Sequence, residues 1–453
     1  MLIDEVMKVH ETTLHILEHI GVRLEHDEVV SRVLKSGAQL GPDPYIIRFP
    51  REMVMEYLSL APSSAVLAGR DDSKCILTCN ADPIFWTNPA MYMWDGQTRR
   101  RVMTQDLVDV ARLCNQLPNV SGIMGMALAD VPASYSDFTG LRIMAENTLK
   151  HIRVLCASTA GAEALRAMQH VFDGPWFSVG FTAHGPLRWT HLALEIFLRT
   201  AGLGIPATVN GEPMAGVTGP VTLAGSIAVG NAEIVAGIVV NQILEPGRPL
   251  VYNLGLAHVM DMKHATTVTG GPENALFANA SAALGRFYQI PSGSWVSTDS
   301  VYEDQQAALE KMFGFTTHIT DGVSLIWGLG QLESALTMSL GQLVIDNEMI
   351  NYIRHYRRGL QFGNEELALD LIKTVGIAGN YLDTEHTYSH FRNELYMPDL
   401  LNRSPREMAL SPLPDCARQR ASTLLANDQV INAPTNEIYE LRKIENFYRN
   451  QTP

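Results

Sequence analysis

Between Pro83 and Gly359 the chain alternates eight times between a short apolar run and a helical stretch. Short apolar runs separated by helical stretches imply parallel strands joined by crossover helices. Eight such units close into a barrel, and a barrel of this kind builds its site where the strands end. Strands are expected near 84–87, 122–127, 152–157, 177–181, 207–209, 250–253, 294–297 and 324–327. The helices that follow them are expected to start near Thr104, Ser136, Ala162, Trp189, Thr222, Glu273, Glu303 and Ser339. The expected fold class is therefore α/β, a TIM (β/α)8 barrel over 76–360. An N-terminal helical extension over 1–75 and a C-terminal helical extension over 361–453, packing on the barrel, flank it.

The flanks carry their own signals. Val6, Val9, Thr13, Ile16, Leu17 and Ile20 share one helical face, and Gly21 ends it as a C-cap residue would. Further helices are expected at 26–37 and 49–62, then a strand-rich stretch to Asp95–Gly96, the hairpin dipeptide. Past Gly359 the pattern is helical over 364–375, then Gly-rich and polar, then polar and partly helical over 415–450.

Composition removes whole classes of function. A net charge of -14 argues against a nucleic-acid partner, which needs a basic face. Five cysteines, an odd number, suggest no disulfide framework, and the Cys75/Cys79 pair lacks the second half of a zinc site. The N-terminus has no basic region followed by an apolar core and cleavage site. The most apolar stretch, 222–244, contains Gly225, Ser226, Gly230, Asn231, Glu233, Gly237 and Asn241, and suits a helix buried beside the barrel better than a membrane span. A soluble, cytoplasmic protein is expected.

Familiar catalytic motifs are weak here. HILEH at 15–19 matches the H-x-x-E-H zinc pattern, but it lies on the outer face of a short helix with no third ligand in view. HTYSH at 386–390 places two histidines one turn apart without a glutamate. No G-x-S-x-G elbow, P-loop or G-x-G-x-x-G fingerprint is present. The strand ends are more informative. Trp86, Tyr92, Phe181, Tyr252, Trp295 and Trp327 are expected to face the mouth, and several π faces around one mouth suit a quaternary ammonium, which offers no hydrogen bonds. Asn210, Glu212, Asn253, Asp299 and Glu333 sit at or just beyond strand C-termini, where polar residues serve function more than stability. Asp304 and Glu310 suit a helix N-cap and a helix face.

Four blocks, GGPENALFANASAALGRFYQIPS (270–292), TDSVYEDQQAALEK (298–311), SLGQLVIDNEMI (339–350) and GNYLDTEHTYSHFRNELYMPDLLNR (379–403), resemble the trimethylamine methyltransferase family. The resemblance implies a barrel that passes a methyl group from a methylated amine to the cobalt of a separate corrinoid protein. The founding members carry pyrrolysine in the cavity; this chain is written wholly in the standard twenty residues. The resemblance therefore points to the non-pyrrolysine branch, which demethylates betaines: glycine betaine, proline betaine, carnitine or γ-butyrobetaine.

Chemistry fits that branch. A quaternary ammonium leaves as a neutral tertiary amine, so no general acid is required, and cobalt(I) is itself the nucleophile. The protein has only to hold the cation, aim one methyl at the mouth and exclude water. Asn210, Glu212, Asp299 and Glu333 are the candidate catalytic residues. Trp86, Tyr92, Phe181, His184, Tyr252, Asn253, Trp295, Trp327 and His386 are the candidate substrate residues, with His184 and His386 favoured for the carboxylate. The expected partners are a cognate corrinoid protein and a small quaternary amine, glycine betaine foremost, in a homo-oligomer with no membrane and no bound metal. Two alternatives stand beside this: a zinc-dependent corrinoid methyltransferase, and a non-catalytic betaine-binding protein.

Overall fold

The computed structural model describes residues 1–70, 74–159, 161–405, 408, 411–427 and 435–451. Eight parallel strands close into a barrel: β1 (Ile84–Thr87), β2 (Val120–Met124), β3 (His151–Arg153), β4 (Phe177–Ala183), β5 (Ala207–Gly211), β6 (Leu250–Gly255), β7 (Ser292–Trp295) and β8 (Leu325–Leu329). Neighbours pair in chain order, and β8 closes on β1 through Leu325–Ile84 and Ile326–Phe85. The helices α1 (Thr104–Gln116), α2 (Ser136–Asn147), α3 (Gly161–Met168), α4 (His191–Arg199), α5 (Leu223–Leu244), α6 (Pro272–Tyr288), α7 (Gln305–Asp321) and α8 (Leu340–Arg357) follow the strands in turn. Each expected strand is present, and each helix starts within two residues of its expected position. Asp304 caps α7 by accepting from the Ala307 N–H at 3.0 Å.

α5 explains the most apolar stretch of the chain. Its 22 residues are apolar on all sides because both sides are covered. The barrel lies on one, and the N-terminal helices Ile3–His15 and Arg51–Leu60 lie on the other. A Cβ at Gly237 would stand 2.4 Å from the Trp189 ring, so only glycine lets the helix approach this closely. Asn231 pins the layers together. Its amide donates to Thr13 Oγ1 at 2.7 Å and Tyr288 Oη at 2.9 Å, and Tyr252 Oη donates back to its carbonyl oxygen at 2.8 Å.

The far end of the barrel is plugged by an antiparallel hairpin, Ser64–Ala68 with Lys74–Thr78. Its Ala65, Leu67 and Leu77 pack under Trp86, Val251 and Leu325. Two polar bonds lock it in place: His151 Nδ1 donates to the Ala68 carbonyl at 3.0 Å, and Ser324 Oγ donates to the Thr78 carbonyl at 2.9 Å. A small sheet of Val22–Leu24, Gln39–Leu40, Ile46–Arg48 and Arg188–Trp189 edges the N-terminal helices. Strands of two or three residues leave no periodic signal, which is why none of these was expected. At the other terminus, Leu413–Ala426 packs on α8 and α1, and Thr435–Arg449 packs on α2 and α3. Between α8 and Leu413, the helices Asn364–Leu367, Leu369–Val375 and Glu385–Glu394 bury no residue.

Candidate active site at the barrel mouth

The C-terminal ends of the strands open into two adjoining chambers. An inner one of about 280 Å³ lies within the mouth, and a funnel of about 780 Å³ lies outside it. Thr182, His184, Glu212 and Trp295 line both and form the neck. Two small sheets fence the rim. One joins Tyr92–Trp94 and Arg99–Arg101, the Asp95–Gly96 hairpin, to Gln331–Leu332 and Thr337–Met338 after β8. The other joins Met214–Ala215 after β5 to His258–Asp261 and Thr266–Val268 after β6.

One wall of the inner chamber is tryptophan. Trp295 on β7 and Trp327 on β8 are register partners, and both line the cavity. Trp86 on β1 lies behind, stacked on Trp327 at 6.2 Å between ring centroids and 13° between planes. It is fully buried and lines neither chamber, so it supports the wall rather than forming it. It fits because residue 122 on β2 is glycine, where a Cβ would meet the Trp86 indole nitrogen at 2.4 Å.

The other expected aromatics are placed elsewhere by strand alternation and rim geometry. Phe181 borders the inner chamber, but its ring is edge-on to Phe197 of α4, in the helix layer. Tyr252 points the same way, to Asn231 and Tyr288, and does not reach the mouth. Tyr92 sits on the rim hairpin beneath the Arg99 guanidinium, 3.4 Å from its ring centroid, and lines neither chamber.

The polar half is built by β3, β4 and β5. Arg153 ends β3, is 5% exposed and lines the inner chamber. Its Nε donates to Thr208 Oγ1 at 3.3 Å, one terminal nitrogen to the Gly180 carbonyl at 2.6 Å, and the other to the Val154 carbonyl. Nearer the neck, Asn210 leaves its side-chain oxygen without a partner. Both side-chain polar atoms of Asn253, one strand further round, are likewise buried and unpaired, though Asn253 does not line the chamber.

Glu212 follows β5 at the neck. It is open to the cavity but walled by protein, and this desolvation pushes its carboxyl up to about 7. His258 Nδ1 lies 3.8 Å from it. That nitrogen donates to the Leu256 carbonyl at 3.0 Å, and burial lowers the imidazole's pKa, which favours its neutral form. Behind Glu212, burial first and the Glu212 charge second push Glu233 on α5 up to about 8, opposed by its bond from the Leu187 N–H.

Two expected catalytic carboxylates hold loops. Asp299 Oδ1 accepts from Thr269 N–H at 2.9 Å, Thr269 Oγ1 at 2.9 Å and Ser334 Oγ at 2.7 Å, and its Oδ2 accepts from Gly270 N–H at 3.1 Å. Glu333 lines the funnel and accepts from Arg99 Nε at 2.7 Å and Thr337 Oγ1 at 2.5 Å. Glu333, Ser334 and Ala335 have consecutive φ values of 56°, 50° and 75°. Non-glycine residues held left-handed in series are strain that a fold retains at working sites. The bend puts Ala335 on the inner chamber. Of the two favoured histidines, His184 stands at the neck. His386 does not come near it: it lies in the helix Glu385–Glu394, its Nε2 donating to the Glu365 carbonyl at 3.2 Å, and it lines neither chamber.

Sequence reasoning missed Arg153, His258, Glu233 and the left-handed bend. Arg153 and Glu233 had a signal, a charged residue inside an apolar run: HIRVLC at a strand end for Arg153, and 222–244 for Glu233. His15 and His19 lie on an exposed face, as expected. A different trio, His26, His191 and Glu195, brings its ligand atoms within 4.8 Å of one another, on the outside of α4 and away from the mouth.

Comparison with known proteins places this barrel in a family. The family model described as trimethylamine methyltransferase matches residues 1–429. A trimethylamine methyltransferase of Desulfitobacterium hafniense (strain DSM 10664 / DCB-2) is 30% identical over 425 residues, covering 89% of this chain and 84% of the relative. A glycine betaine methyltransferase of Desulfitobacterium hafniense (strain Y51) is 29% identical over 418 residues, covering 88% and 86%. Among solved structures, the monomethylamine methyltransferase of Methanosarcina barkeri superposes with a TM-score of 0.54 at 12% identity, covering 94% of this chain and 93% of its own, and so shares the barrel fold. The chain is a methyltransferase and belongs to the trimethylamine methyltransferase family.

Proposed function

We propose that this enzyme takes a methyl group from a small betaine, glycine betaine foremost, and delivers it to the cobalt(I) of a corrinoid carried by a separate protein, releasing dimethylglycine. The observation that carries this reading is the inner chamber itself. Its volume of about 280 Å³ suits a small amine, and its apolar wall is the Trp295–Trp327 pair. A trimethylammonium takes its attraction from π faces and needs no hydrogen bond from the wall. Met124, Leu256 and Ala335 complete the apolar lining and exclude water. Glu212 at the neck supplies a carboxylate for the cation when ionised.

The protein need not move a proton, because the departing amine is neutral. Cobalt(I) supplies the electron pair that forms the new bond to the methyl carbon, and the C–N pair leaves with the amine. The chain's part is to hold the methyl in line with the funnel. That funnel is far larger than the substrate, and Met214, Thr218, Thr267 and Leu336 on its lining would face a partner-borne corrinoid docked there. The zinc alternative has less support. Cys156 is the cysteine on the chamber, and among the described residues no three metal-ligating side chains converge there. None of the five cysteines, all of them described, is in a disulfide, which suits a reducing, cytoplasmic setting.

The test is direct. Incubated with cob(I)alamin and a panel of quaternary and tertiary amines, the purified enzyme should form methylcobalamin from a betaine, seen by absorbance. Transfer from trimethylamine alone, or from no amine in the panel, contradicts the proposal.

A further inference from the structure

Three Lys and Arg side chains are buried among the described residues: Arg153, Arg248 and Lys311. Lys311 donates to Asp346 at 2.6 Å. Arg248 lies beyond the opposite end of the barrel, 3.8 Å from Glu245, with its donors on the Ile205 and Phe197 carbonyls and Thr200 Oγ1. Arg153 is different. No carboxylate lies within ion-pair distance of it among the described residues, and its hydrogen-bond partners are all neutral. Three of the five N–H donors of its guanidinium are engaged, which leaves two. A buried charge without a counter-charge is strongly destabilising. Unlike the other two, this one faces a cavity.

Its depth matters as much as its charge. Arg153 bonds to Gly180 and Thr208, within β4 and β5, and lines only the inner chamber. Thr182 and Asn210, a register pair, come one pleat later, and Glu212 follows at the neck. Cation and carboxylate thus stand at opposite ends of the chamber, Arg153 deep and Glu212 shallow. A zwitterion whose anion goes inward meets both with opposite sign. A bare cation such as choline meets the Arg153 charge with nothing to offset it.

We propose that Arg153 is the receptor for a substrate carboxylate. The substrates are then quaternary amines that carry a carboxylate, and they enter carboxylate first, so that the trimethylammonium is presented at the neck to the funnel. This rests on the function proposed above and deepens it, because it makes the anion, more than the ammonium, the determinant of specificity. A guanidinium fork matches a carboxylate in shape and charge. A site built around a polar group discriminates strongly against analogues that lack it.

The test is calorimetric titration of the intact enzyme with glycine betaine and with choline. Wild type should bind glycine betaine at least about 100-fold more tightly than choline. Arg153→Met should lose at least about 100-fold for glycine betaine while binding choline within about threefold of wild type. Arg153→Lys, with the charge but not the fork, should fall between. Choline affinity in the variants reports that the chamber has folded. Wild type binding choline as tightly as glycine betaine overturns the assignment without any variant, and so does an Arg153→Met enzyme with an unchanged betaine-to-choline ratio. If wild type transfers methyl from a quaternary amine and either of those results is found, Arg153 alone has been misassigned. If wild type transfers methyl from no quaternary amine, the proposed function fails with it.

Discussion

The two halves of the inner chamber are made of different chemistry. β1, β7 and β8 contribute a packed stack of tryptophans, with Trp86 supporting Trp327 and Trp295 beside it. β3, β4 and β5 contribute Arg153, Thr182 and Asn210, with Glu212 just beyond. The aromatic half packs its rings on one another and on the hairpin plug, and the indole N–H groups of Trp86, Trp295 and Trp327 are buried without a hydrogen-bond partner. The polar half differs in carrying charge: a guanidinium without an anion, an amide oxygen without a donor, and two carboxyls pushed towards neutrality. The difference teaches that shape recognition lies in one half and charge recognition in the other. Substrate choice should therefore be far more sensitive to the polar half.

The largest expected consequence is that only the polar half titrates. Glu212 and Glu233 are raised from 4.5 to about 7 and about 8. The folded state therefore binds more protons than the unfolded state between these values, so their contribution to stability is present at low pH and lost as pH rises. Buried Glu233 alone should cost the unliganded enzyme about 3 kcal/mol between pH 5 and 8, read by denaturant midpoint, with a smaller addition from the solvent-open Glu212, and Glu233→Gln should flatten the loss. Stability that rises across this window would show that these carboxyls are solvated. A smaller effect is expected from the aromatic half. Trp295→Ala or Trp327→Ala should each cost about 1–2 kcal/mol of binding, equally for glycine betaine and choline. A loss confined to one ligand would erase the distinction between the halves.

Glu212 sharpens the comparison further. A cation favours its ionised form, so choline affinity should rise about threefold from pH 6 to 8 and stay flat in Glu212→Gln. The smallest effects mark residues outside both halves. Tyr252→Phe should cost about 1 kcal/mol of stability through its bond to Asn231 and leave ligand affinity unchanged. His386→Ala should change neither ligand's affinity.

Much of this architecture was legible in the chain. The eight strands and their helices could be read because the alternation of apolar runs is local and strong, and α5 was distinguishable from a membrane span by Asn231 and Glu233. The mouth was legible in outline, since Trp295, Trp327, Asn210 and Glu212 end strands and line the inner chamber. What could not be read was which way a strand-end side chain turns. Tyr252 and Trp327 look alike in sequence, yet one residue of register sends Tyr252 to the helix layer and leaves Trp327 inside. Arg153 was overlooked for a related reason. Its meaning lies in the absence of a carboxylate partner, and partners come from strands far away in the chain.

The central claim is an orientation: anion inward at Arg153, ammonium outward against Trp295 and Trp327. A crystal structure of the enzyme soaked with glycine betaine tests it most directly. The account predicts the carboxylate within hydrogen-bond distance of the Arg153 guanidinium and one N-methyl facing the funnel past Glu212. A betaine with its ammonium inward and its carboxylate at His184, or one bound outside the inner chamber, would contradict it.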